Sequence, residues 1–153
     1  MFKLLQRSPP MPPPIPATSR LREFQDYWSG IGAEGVIPGR QHIQPGDIPG
    51  LLPYILILDY TNGQYRCRLA GTAIVEGLGQ ELTGRVLDDE LLGSAFAGWF
   101  RRLETVRRQA RPLSGEENLW WLSRSYRNFH WLCLPLASDG RRVDKLLMCI
   151  DWT

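Results

Sequence analysis

The stretch that most constrains the fold is YILILDYTNGQYRCRLA, residues 54–70. Two β-type runs, Tyr54 to Tyr60 and Gln64 to Ala70, flank Thr61-Asn62-Gly63. Asn-Gly is the preferred pair for a type I′ turn, whose twist matches that of the strands it joins, so an antiparallel hairpin is expected. In the second run Tyr65, Cys67 and Leu69 alternate with Arg66 and Arg68, which gives one buried and one wet face. The first run is apolar on both faces from Ile55 to Leu58, so it is expected to lie nearer the middle of a sheet.

The flanking segments extend this into a domain plan. From Thr18, Leu21, Phe24, Tyr27, Trp28 and Ile31 recur at spacings of three and four, predicting an amphipathic helix capped by Thr18 or Ser19 and stopped by Gly30 and Gly32. Its aromatic stripe either packs on the domain or pairs with a second copy. After the hairpin, residues 72–84 allow only short helices between glycines, whereas 88–110 predicts one long helix with Leu92, Ala95, Phe96, Trp99, Leu103 and Val106 on one stripe. Three further strand-like runs follow, GEENLWWLSRS, YRNFHWLCLPLA and RRVDKLLMCIDW, the last two joined through Ser138-Asp139-Gly140. A length of 153 residues fits a single domain. The expected product is an α+β fold, a five-stranded antiparallel sheet with a helical crossover between strands two and three and the N-terminal helix at 18–31. Residues 1–17 form a proline-rich leader, with six prolines in SPPMPPPIP, suited to a stiff polyproline II arm or to SH3-type recognition.

Several function classes are disfavoured. With 18 basic and 16 acidic side chains the chain is no general polyanion binder; the arginines at 101, 102, 107, 108 and 111 make a local positive helix end that serves as a solvated face rather than a nucleic-acid site. Three cysteines without C-x-x-C spacing, Cys67, Cys133 and Cys149, are expected to be reduced and buried. The N-terminus lacks a secretory apolar core and no segment reaches the ~20 apolar residues of a membrane span, so a cytoplasmic protein is expected. GIGAEG at 30–35 matches a dinucleotide fingerprint only formally, because a helix precedes it and a Pro/Gly-rich connection follows. His42 and His130 have no metal-type spacing, and no nucleophile motif is visible, so neither a metal site nor an enzyme is expected.

The order helix, two strands, helices, three strands is that of PAS domains. The chain resembles in particular a bacterial PAS-like family through five ordered blocks covering about residues 20–150: Tyr27-Trp28; Pro38-Gly39-Arg40 with Pro45 to Pro53; Tyr65 to Thr72 (YRCRLAGT); Glu81 to Arg85 (ELTGR); and Leu134 to Leu147. Arg40, Arg68, Gly71, Thr72, Glu81, Thr83, Gly84 and Arg85 stand in these blocks and are expected to be structural or to contact a ligand. Gly71 and Gly84 suit positive φ, Thr72 suits a helix cap, and Glu81 suits pairing with Arg68 or Arg85.

The resemblance implies a PAS cup and a sensory or signalling role; it names no ligand. Haem is disfavoured because the long helix has no His, and a flavin photosensor because residues 72–86 have no Cys, so the cofactor is unknown. Tyr65, Cys67, Trp99, Leu103, Trp121, Phe129 and Trp131 are the candidate pocket; its aromatics either line a cavity or fill it. Leu21, Phe24, Tyr27 and Trp28 are the candidate dimer interface. The expected function is a stand-alone sensory or regulatory module that binds a small apolar ligand or a signalling partner protein. The alternative is a ligand-free homodimerising interaction domain with a solid core.

Overall fold

The structure, a computed structural model, describes residues 16–122 and 124–153. The proline-rich tract apart from Pro16, with its possible SH3-type motif, lies outside the described residues. Helix α1 (Ser19–Ile31) is opened by Thr18, whose hydroxyl accepts the Leu21 amide at 3.2 Å. Three short 3-10 turns carry the Pro/Gly-rich connection to β1 (Ile55–Thr61) and β2 (Gln64–Ala70). Asn62 and Gly63 have φ of 52° and 80°, the two positive values a type I′ turn demands.

Helix α2 (Thr72–Leu78), α3 (Asp89–Leu92) and α4 (Phe96–Gln109) form the crossover, and β3 (Leu113–Leu119), β4 (Arg124–Leu136) and β5 (Lys145–Trp152) complete the chain. The strands make one sheet in the order β2-β1-β5-β4-β3, every neighbouring pair antiparallel. The expected α+β fold with its crossover between the second and third strands is thus present, and β1 lies inside the sheet, as its two apolar faces required.

Three local expectations are corrected. The long helix is interrupted: Gly93, at φ 56°, ends α3, and a 3-10 turn over Gly93–Ala95 leads into α4. Trp120 to Leu122 form a 3-10 turn between β3 and β4, not part of a strand, and the strand before them begins at Leu113. Gly71 does not use positive φ, having φ −69°; its missing side chain matters because a Cβ there would lie 2.3 Å from the Pro53 carbonyl oxygen.

The sheet separates two cores. On one face α1 lays Leu21 and Phe24 against Ile55, Ile57, Leu132, Leu134, Leu147 and Cys149. On the other, the crossover helices lie over Leu56, Leu58, Phe129, Trp131, Met148 and Ile150. The alternation along β1, β4 and β5 that assigns one residue to each face is the period-two rule of a strand buried on both sides.

Candidate functional site

The crossover face is a cup. Helix α4 points Trp99, Leu103 and Val106 into it, and Trp99 stacks on Phe129 with ring centroids 6.3 Å apart and meets Trp131 edge-on at 5.2 Å. The aromatics therefore fill one side of the cup. Beside them remains a half-open apolar cavity of about 70 Å³. Leu58, Met148 and Ile150 form its floor, Trp99 and Leu103 one wall, and Leu82 and Leu91 from the broken crossover another. Gln80 is the one side-chain amide among the described lining residues. Helices ended at Gly79 and Gly93, both at positive φ, cannot lie flat over the sheet as a continuous helix would, and this leaves the space open.

Of the seven candidate pocket residues, Trp99, Leu103, Trp121 and Phe129 line this cavity and Tyr65, Cys67 and Trp131 do not. Tyr65 is fully buried under the C-terminal half of α4, where its hydroxyl donates to Glu104 Oε2 at 2.5 Å. Glu104 also accepts two bonds from Arg107, at 2.8 Å each. The Arg107 guanidinium, with help from the Tyr65 hydroxyl, holds the Glu104 carboxyl down at about 2, while burial first and Glu104 second push the Tyr65 phenol far up. Neither group is poised for proton transfer near neutrality. Burial raises the Cys67 thiol to about 11, and Cys133 and Cys149 are raised by the same cause, so all three buried cysteines are inert thiols. Trp131 is closed off by Arg102, whose guanidinium lies 5.5 Å from its ring centre, and by Gly115, where a Cβ would stand 2.8 Å from the indole.

The cavity leucines on β1 and the Met148/Ile150 pair on β5 were not among the candidates. Their signal was present: both pairs have the inward parity of strands buried on both faces.

The signature residues hold the rim. Gly84, at φ 87°, and Arg85 dock the ELTGR turn on the free edge of β2: the Cys67 amide donates to the Arg85 carbonyl at 2.8 Å and the Gly84 amide to the Cys67 carbonyl at 2.7 Å. Glu81 does not pair with an arginine; its carboxylate accepts the Leu82 and Thr83 amides and closes the turn. Arg68 pairs with Asp59 at 2.7 Å instead. Thr72 is the first residue of α2, behind the cap position held by Gly71, and makes no capping bond. Arg40 donates to the Ile43 carbonyl at 3.3 Å and steadies a 3-10 turn.

Of the candidate dimer residues, Leu21 and Phe24 are 0% and 1% exposed, spent on the chain's own sheet. Tyr27 and Trp28 are partly exposed, and their polar tips are used internally: Tyr27 bonds Asp47 at 3.1 Å and the Trp28 indole donates to the Pro135 carbonyl at 2.8 Å. His42 Nδ1 accepts the Gly39 amide at 2.9 Å, and His130 faces Glu116 across the β3–β4 pair at 3.3 Å. No helix among the described residues is long and apolar enough to cross a membrane.

A family model described as a PAS domain matches residues 17–150. Among solved structures, the PAS domain of Bordetella pertussis BvgS is similar with a TM-score of 0.54 and 15% identity, over 69% of this chain and 79% of that one. A sensory box sensor histidine kinase from Vibrio cholerae is similar with a TM-score of 0.48 and 11% identity, over 71% of this chain and 85% of that one. The Rhodobacter sphaeroides LOV protein is similar with a TM-score of 0.48 and 12% identity, over 86% and 67%. No curated protein matches the chain.

Proposed function

The chain belongs to the PAS-domain family, and from that premise we propose that it is a non-enzymatic sensory or regulatory module whose cup takes a small apolar ligand. Membership of the family supports a sensory signalling module. The observation that carries the ligand is the cavity of about 70 Å³ with its almost wholly apolar wall. That volume is roughly half of the ~150 Å³ in which a dry engineered cavity holds benzene, so the ligand is a small apolar fragment or the tip of an acyl chain entering through the open side. Binding would be read out through the broken crossover, because Leu82 and Leu91, which line the cavity, belong to it, Leu82 between α2 and α3 and Leu91 within α3.

The test is native mass spectrometry of the purified protein, followed by thermal shift with decanoate. A mass excess lost on denaturation, or a rise in Tm that Leu58→Phe abolishes, supports the reading. A bare-chain mass together with no shift overturns it.

A second reading, a ligand-free interaction module, is favoured by the packed aromatic half of the cup and by Trp120, 46% exposed on the β3–β4 turn. A homodimer through α1 would have to form with Tyr27, Trp28 and the outer helix face, since Leu21 and Phe24 are already buried.

A further inference from the structure

A second pocket, more polar than the cup cavity and sharing no lining residue with it, lies where the first turn of α1, helix α2 and the end of β5 converge. Its volume is about 270 Å³, and Arg20, Tyr54, Glu76, Arg127 and Trp152 line it. Both guanidiniums sit over rings: Arg20 lies 3.8 Å from the centre of Tyr54, and Arg127 lies 4.7 Å from that of Trp152. Such stacking fixes long side chains that would otherwise lose rotamer freedom on binding a ligand.

The charges are not equivalent. Arg20 is neutralised by its ion pair with Asp151. Arg127 has no ion pair, and neither has Glu76, among the described residues. The pocket thus presents one cation and one anion without an ion-pair partner among the described residues, carried on two different elements, together with two aromatic rings in its lining. A bare anion would be attracted by Arg127 and repelled by Glu76, and a bare cation the reverse. A molecule carrying both charges satisfies both.

The helix α2 wall is built for this placement. Trp152 donates its indole N–H to the Ala73 carbonyl at 2.9 Å, and a Cβ at Gly77 would stand 2.1 Å from the same ring, so α2 can approach Trp152 only with glycine there. That close approach places Glu76 and Trp152 on the same pocket.

We propose that this pocket binds a free amino acid, its carboxylate on Arg127, its ammonium on Glu76 and its side chain against Tyr54 and Trp152. The inference is independent of the cup ligand, since the two cavities share no residue.

Isothermal titration calorimetry with each proteinogenic L-amino acid, up to about 10 mM, tests it. At least one is expected to bind. Its N-acetyl derivative and its methyl ester, each lacking one charge, are expected to bind the unaltered protein at least about tenfold more weakly, as loss of one charged hydrogen bond implies. Arg127→Gln and Glu76→Gln should each weaken binding by a similar factor with Tm unchanged, whereas Leu58→Phe in the cup should leave it intact. Absence of binding by every amino acid overturns the proposal. So does binding of inorganic phosphate or of the N-acetyl derivative as tight as that of the amino acid, and so does binding that survives Arg127→Gln but not Leu58→Phe.

Discussion

The two faces of the sheet bury the same kind of residue with different results. On the α1 face, Leu21, Phe24, Ile57, Leu132, Leu134 and Cys149 are all at most 1% exposed, under an unbroken helix of 13 residues joined by Ile43, Ile48 and Leu51 of the 3-10 connection. On the crossover face, equally apolar strands carry helices of 7, 4 and 14 residues broken by glycine, and a cavity remains. Hydrophobic content does not distinguish the faces; the continuity of the covering helix does. A helix with an unbroken stripe can set every side chain into the sheet, whereas short helices joined at positive-φ glycines must meet it at separate angles.

The largest expected effect is on the solid face. Phe24→Ala should cost about 3–5 kcal/mol in denaturant unfolding, because nothing in a closely packed layer can collapse into the space. A cost below about 2 kcal/mol would remove the distinction between the faces. A matched pair sharpens it: Leu134→Phe on the α1 face should cost about 1–3 kcal/mol by overpacking, while Leu58→Phe, with the cavity to grow into, should cost less than about 1 kcal/mol or stabilise. Equal costs for the two would mean that the cavity gives no room.

The polar anchor at the far end of the cup has its own signature. The folded-state pKa of Glu104, at about 2, lies below the ordinary value of ~4.3, so its charged form contributes stability that is present above that ordinary value and is lost as pH falls towards 2. Urea midpoints followed from pH 6 to pH 2.5 should therefore fall less steeply in Glu104→Gln than in the parent. Parallel curves would count against the Tyr65–Glu104–Arg107 network as a determinant. The smallest effect belongs to the rim: Arg68, largely exposed, pairs with Asp59, and Arg68→Ala should change stability by less than about 1 kcal/mol.

Legibility followed the range of the physics. The β1–β2 hairpin, the Thr18 cap and the apolar stripe of α1 are local, and each was readable from neighbouring residues. Glu81 suits a pair with Arg68 or Arg85 by charge, yet its carboxylate closes its own turn on the Leu82 and Thr83 amides, and charge alone does not distinguish the two. The candidate pocket divides on the same ground, four of its seven residues lying on the cavity and three away from it. Trp99, Leu103, Trp121 and Phe129 do line the cavity, but Tyr65 is drawn to Glu104 and Trp131 to Arg102 by contacts that cross elements.

By itself the sequence determined the element order, the type I′ turn, the two buried faces of β1 and the family, because these rest on local backbone preference, period-two burial and ordered motifs. Only the tertiary structure decided that Gly71 answers to the Pro53 carbonyl and Gly77 to Trp152, that α1 spends Leu21 and Phe24 on its own sheet, and that a cavity stays open beside Trp99. Each of those depends on how closely two distant segments approach, and that distance is set by the packing of everything between them.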